Sequence, residues 1–171
     1  MMKKDVIFLV GFMGCGKSAV GRTLANRLGY TFHDTDEMVE AKERRSIEKV
    51  FQESGEGYFR EREWEALLSL AGITNAVVAT GGGLFLGAQH RKFIKETGIS
   101  IWLDAPFEDI LERMKDGPVR PLFTDDAEFR QMLESRKGRY ILADYRIDTR
   151  GMTVESIVDK ILKISKQDFN D

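Results

Sequence analysis

The octapeptide Gly11-Phe12-Met13-Gly14-Cys15-Gly16-Lys17-Ser18 constrains this chain more than any other feature. It matches the pattern G-x-x-x-x-G-K-[ST], a loop that wraps phosphate groups in backbone N–H donors. The apolar run from Asp5 to Val10 precedes it and reads as a strand buried on both faces. Lys17 to Leu28 follows, with apolar residues at Val20, Leu24, Ala25 and Leu28, a helical spacing that stops at Gly29. A strand, a glycine loop and a helix in this order make a helix N-terminus into an anion site. In such a loop Lys17 reaches the outer phosphates and the Ser18 hydroxyl is placed to ligand Mg²⁺.

The rest of the chain alternates in the same way. Tyr30 to Asp34, Ala76 to Thr80, Ile99 to Leu103 and Arg146 to Asp148 read as strands. Helices are expected over Glu37 to Glu53, as one or two pieces with Ser46 an N-cap for the second, and over Glu56 to Ala71. Further helices are expected over Ala88 to Glu96, Pro106 to Lys115, Asp126 to Leu142 and Thr153 to Ile164. Alternation of this kind gives an α/β sandwich on a mostly parallel sheet. With 171 residues the chain has room for one domain, and 42% hydrophobic residues are enough for a packed core.

Composition excludes several classes of function. The net charge of −2 offers no electrostatic argument for nucleic acid or an anionic membrane as partner. The single cysteine, Cys15, rules out an intrachain disulfide and a Cys-rich zinc site. A basic start, a short apolar stretch and that cysteine loosely resemble a lipoprotein signal. Asp5 interrupts it, Phe12 is bulky where cleavage wants a small residue, and the stretch is too short to span a bilayer. The expectation is a cytoplasmic enzyme with no membrane or nucleic-acid partner, monomeric by default.

Three further motifs bear on chemistry. Asp34-Thr35-Asp36 ends the second strand; in extended chain the two carboxylates share a side, facing the crevice where such sheets bind ligands. An acidic strand end that caps the next helix is the competing reading. Phe59-Arg60-Glu61-Arg62-Glu63 places Arg60 and Glu63 as helix neighbours, and alone it reads as a solvated salt-bridge face. Gly81-Gly82-Gly83 after a strand costs chain entropy, which suits a ligand lying against bare backbone.

Taken together these motifs resemble the shikimate kinases over nearly the whole chain. The phosphate loop, Asp34-Thr35-Asp36, Phe59-Arg60 with Glu63, and Gly81-Gly82-Gly83 fall in that family's order. Val119-Arg120-Pro121-Leu122 looks like its arginine-bearing lid, and Arg136 stands four residues before Tyr140. The resemblance implies a three-layer sandwich with a five-stranded parallel sheet, of the P-loop nucleoside-monophosphate-kinase type, with a mobile lid over about residues 115–126. It implies transfer of the γ-phosphate of ATP to the 3-hydroxyl of shikimate, with Mg²⁺ as cofactor, in aromatic amino-acid biosynthesis.

Carried over by motif, Lys17, Asp36 and Arg120 are the catalytic residues. Gly14, Cys15, Gly16, Lys17, Ser18, Ala19, Arg113 and Arg120 hold the nucleotide. Asp36, Arg60, Gly81, Gly82, Gly83 and Arg136 hold shikimate, and Ser18 and Asp34 hold the metal, Asp34 through water. Arg150 is a candidate on the nucleobase side.

The chemistry agrees with this assignment: a substrate carboxylate calls for guanidinium forks, and Arg60 and Arg136 supply them. Asp36 is expected to orient the attacking hydroxyl more than to deprotonate it, because an ordinary aspartate is a weak base. Two alternatives stay open here: a related small-molecule kinase, such as one for gluconate, and a nucleotide-binding protein without turnover.

Overall fold

The computed structural model describes residues 5–115 and 125–168. Its strands are β1 (Val6–Val10), β2 (Thr31–Asp34), β3 (Ala76–Ala79), β4 (Ile99–Asp104) and β5 (Tyr145–Asp148). Its helices are α1 (Lys17–Leu28), α2 (Thr35–Glu43), α3 (Ile47–Leu68), α4 (Ala88–Thr97), α5 (Phe107–Lys115), α6 (Asp126–Tyr140) and α7 (Val154–Asp168). A single 3-10 turn, Leu84–Leu86, stands between β3 and α4.

All four strand pairings are parallel, in the order β2-β3-β1-β4-β5. β1 lies in the centre, and all five of its side chains are fully buried. That explains why Val6–Val10 is apolar throughout instead of alternating. Each such side chain contributes about 1.5–3 kcal/mol through burial, so the strand that carries the phosphate loop is also the best-anchored one. α1 packs against α7. α3, α4 and α6 all meet the 3-10 turn that follows the glycine triplet.

The strand expectations hold to within a residue or so. The helical region after β2 differs. α2 begins at Thr35, with Asp34 as its N-cap, and so two residues before the expected start. Ser46 caps α3 through Lys49 N–H, as expected. Within α3 the expected break between Glu53 and Glu56 is present as a kink at Gly55 (φ 82°, ψ 170°), where only glycine is at ease. A small apolar cluster of Val39, Val50 and Phe59 closes this corner of the molecule.

Candidate active site

The phosphate loop closes on itself through its own lysine. Gly14 (φ 75°) and Gly16 (φ 98°) take left-handed conformations that let the loop turn into α1. Lys17 is only 8% exposed. Its Nζ donates to the carbonyls of Gly11 (2.7 Å) and Phe12 (2.9 Å) and lies 3.7 Å from Cys15 Sγ. The lysine is thus folded over the loop that it is expected to extend from. The Cys15 side chain is buried, as a small filler would be. Arg113 of α5 reaches the loop and donates to the Cys15 carbonyl at 2.9 Å.

Asp34 serves both readings of the acidic motif. Its Oδ1 caps α2 by accepting from Asp36 N (3.0 Å) and Glu37 N (3.2 Å). Its Oδ2 accepts a 2.6 Å hydrogen bond from Ser18 Oγ. The extended-strand argument for the pair is therefore corrected: Asp36 already stands in the first turn of the helix that Asp34 caps. The helix turn, and not strand alternation, brings the two carboxylates to one mouth. Both line a cavity of about 340 Å³ with Gly14, Gly16, Lys17 and Ser18. Ala19, Gly82 and Arg113 are also in its wall.

Asp36 is the most perturbed acid in this cavity. Burial, then the charges of Asp34 and Glu63, push its carboxyl up to about 7, against the lowering pull of Lys17. Its carboxyl is therefore not the unperturbed aspartate from which a weak base was expected.

The glycine triplet is explained by packing. A methyl group on Gly81 would stand 2.6 Å from Asp36 Oδ1 and 2.8 Å from Glu63 Oε1. One on Gly83 would stand 2.5 Å from Arg60 Nη1. Bare backbone at Gly81 and Gly83 makes room for the protein's own side chains. Gly82 is the member that lines the cavity.

The Arg60–Glu63 pair is also more than a solvated face. Glu63 is 1% exposed and receives Arg60 Nη1 at 2.9 Å. Arg136 of α6 lies within electrostatic reach of the same carboxylate, and its guanidinium stacks 5.5 Å above the Phe12 ring. Burial nevertheless raises the Glu63 carboxyl above its ordinary range, the two arginines pulling the other way. Arg60 and Arg136 are not in the cavity wall; they join it through Glu63, Asp36 and the triplet.

Three residues were missed as site residues. Thr35 is fully buried and accepts from Gly81 N–H at 2.9 Å. Tyr140 donates to the Gly82 carbonyl at 2.6 Å, and burial pushes its phenol well above the usual range. Glu63 was noted only as a neighbour of Arg60. A polar residue between two acids, and a tyrosine one turn after an arginine, were the available signals. Arg120 and most of the expected lid lie outside the described residues. Arg150 is exposed on the turn after β5, where Asp148 accepts its N–H.

Among the described residues no group of three His, Cys, Asp or Glu side chains could hold a metal. The paired oxygens of Ser18 and Asp34 suit a hard cation that takes its remaining ligands from phosphate and water.

The family model for shikimate kinase matches residues 13–166. A shikimate kinase of Persephonella marina is 44% identical over 91% of this chain and 96% of its own. One of Geobacter sulfurreducens is 42% identical over 91% and 87%. The structure of the Acinetobacter baumannii shikimate kinase in complex with shikimate superposes with a TM-score of 0.89, at 36% identity, over 95% of this chain and 93% of that one.

Proposed function

The chain belongs to the shikimate kinase family, and from that premise we propose which of its residues carry the reaction. It is an ATP-dependent phosphotransferase that passes the γ-phosphoryl group of ATP to shikimate. One observation carries the assignment of roles. Asp36 stands between the phosphate loop, with which it shares a cavity, and the Arg60–Glu63 pair, against which it packs at Gly81.

Shikimate's carboxylate is held by the guanidinium groups of Arg60 and Arg136. Glu63 fixes Arg60 in place. The attacking hydroxyl lies at Asp36, whose raised affinity for a proton fits it to take one as the phosphate bond forms. Gly81, Gly82 and Gly83 leave the space in which these groups meet.

On the other side, the N–H groups of residues 14 to 19 cradle the phosphates. Lys17 exchanges its hold on the Gly11 and Phe12 carbonyls for phosphate oxygens, and Arg113 stands over the loop. Arg120 completes the charge around the transferring group. Ser18 and Asp34 would hold Mg²⁺, which would supply neutralisation of phosphate charge. In-line placement of the two substrates then accounts for most of the rate.

A monomeric, cytoplasmic enzyme is part of the same proposal. No helix among the described residues is long and apolar enough to cross a membrane. The test is ADP release with Mg·ATP and shikimate, gluconate or no acceptor. A large increase with shikimate alone supports the reading; an equal rate with gluconate, or none above background, defeats it.

A further inference from the structure

A second concave site lies at the other end of the sheet. Ser100 is the second residue of β4, and Asp144 immediately precedes β5. Together with Phe85, Leu142 and the cationic residues Arg91, Lys92 and Lys95 they enclose about 310 Å³. The phosphate loop, Asp34 and Thr80 stand at the opposite ends of their strands, and the two cavities share no lining residue.

The lining has a definite chemical character. Phe85 and Leu142 supply an apolar surface. Leu142 is 57% exposed, and its neighbour Ile141 is 60% exposed, although the turn that holds them is fixed by backbone bonds from Leu142 N to Arg139 O and Ala143 N to Tyr140 O. Water gains nothing from such side chains on a rigid turn. Positive charge predominates in the lining: Arg91 and Lys92 come from one stretch of α4, and Lys92 has its acid, Glu96, at 4.0 Å.

Arg91 spends Nη1 on the carbonyls of Phe85 (2.9 Å) and Leu86 (2.7 Å), which pins the guanidinium beside the groove. The one carboxylate, Asp144, is already engaged through Oδ2 by Ser100 N–H and Oγ, each at 2.8 Å. A fixed guanidinium, an added ammonium and an apolar wall complement a ligand with one anionic group on an apolar body.

We propose that this groove is a second ligand site, separate from the site of phosphoryl transfer, for a small organic anion with an apolar body: a carboxylate, sulfonate or phosphate ester. The active site does not explain it, because none of its lining residues is in the wall of the nucleotide cavity or among the residues assigned to the reaction.

The probe is anilinonaphthalene sulfonate, one anionic group on an aromatic body, titrated by its fluorescence into the full-length protein with ADP, Mg²⁺ and shikimate at saturation. Saturable binding of one probe per chain is expected under these conditions. Lys92→Glu should weaken it about fivefold, the worth of one exposed ion pair. Leu142→Ser should weaken it about threefold or more through lost apolar contact. Lys163→Glu, the same charge change on exposed α7, should leave it unchanged. Wild-type melting temperature and kcat in all three variants confirm that the fold is intact. Absence of binding, displacement by nucleotide or shikimate, equal affinity in the Lys92 and Leu142 variants, or an equal loss in the Lys163 variant would each overturn the proposal.

Discussion

Thr35 Oγ1 accepts a 2.9 Å hydrogen bond from the N–H of Gly81, and both residues are buried. This contact locks the first turn of α2, which carries Asp36, to the glycine triplet, which carries the substrate side of the site. Thr35→Val keeps the shape but leaves the Gly81 N–H without a partner. The expected cost is about 1–3 kcal/mol of stability, with a lower kcat from a displaced Asp36. Thr35→Ser should restore both. Urea unfolding and steady-state kinetics on the two variants give the answer; a Val variant equal to wild type would remove the contact from the argument.

Arg60→Ala should raise the Kd for shikimate by about tenfold to a hundredfold, the worth of one charge-assisted bond of 1.5–3 kcal/mol. Affinity for ATP should hardly change, because the ion pairs of Arg60 among the described residues are with Glu56 and Glu63. Calorimetric titration with each ligand separates the two effects. Equal losses would contradict the assignment.

Asp36→Asn removes an acid that lies between the nucleotide cavity and the Arg60–Glu63 pair. The amide has similar volume, so ATP binding should persist. Turnover should fall by about a hundredfold or more, the usual scale for losing a positioned general base. Single-turnover phosphoryl transfer measured at saturating shikimate reports this without a contribution from product release. Near-normal turnover would take Asp36 out of the chemistry.

Glu63 gives a prediction with a sign in pH. Burial raises its carboxyl above the ordinary 4.5 despite Arg60 and Arg136. The folded state therefore holds the proton more tightly than the unfolded chain does. Its contribution is fully present below the unfolded value and is lost as pH rises through the higher folded value. Glu63→Gln cannot lose it. The stability of Glu63→Gln relative to wild type should then rise with pH from about 4.5 upward and level off above the folded value. The same variant should bind shikimate more weakly, because Arg60 keeps only a neutral amide acceptor where it had a charged partner at 2.9 Å. Melting temperatures across pH check the first statement and shikimate titration the second; a difference in stability that falls with pH would refute the buried-acid account.

Much of this was legible in the residues, for reasons that differ by element. Val6–Val10 followed by the glycine loop declares itself because a fully buried parallel strand must be continuously apolar and a phosphate loop needs its glycines. The start of α2 was misplaced because Asp34 looks alike as a strand end and as a cap; only the hydrogen bonds from Asp36 and Glu37 N–H decide. The salt-bridge face at Arg60 was underrated for a related reason. Spacing along a helix shows that Arg60 and Glu63 are neighbours, but not that Glu63 points at the triplet instead of water. Tyr140 and Thr35 act on Gly82 and Gly81 across 58 and 46 residues of sequence, and no local pattern carries a contact of that range.

Gly81 offers the sharpest separation of fold from function. The atoms that a methyl group would meet there, Asp36 Oδ1 at 2.6 Å and Glu63 Oε1 at 2.8 Å, are the ends of side chains and can swing away. The backbone conformation is one that alanine adopts without strain, since Gly81 is not among the glycines of positive φ. Gly81→Ala should consequently fold with a loss of about 1–2 kcal/mol at most. Swinging Asp36 away from the cavity, and Glu63 away from Arg60, should lower kcat and raise the KM for shikimate together, while the KM for ATP stays near wild type. Gly29→Ala is the control. It sits at the C-cap of α1 with φ 69° and nothing within 4 Å of the added methyl, so it should cost about 1 kcal/mol of stability and leave the kinetics alone. If Gly81→Ala behaves like Gly29→Ala, with stability reduced and kinetics intact, then the crowding of Asp36 and Glu63 against the triplet does not set the geometry of the reaction.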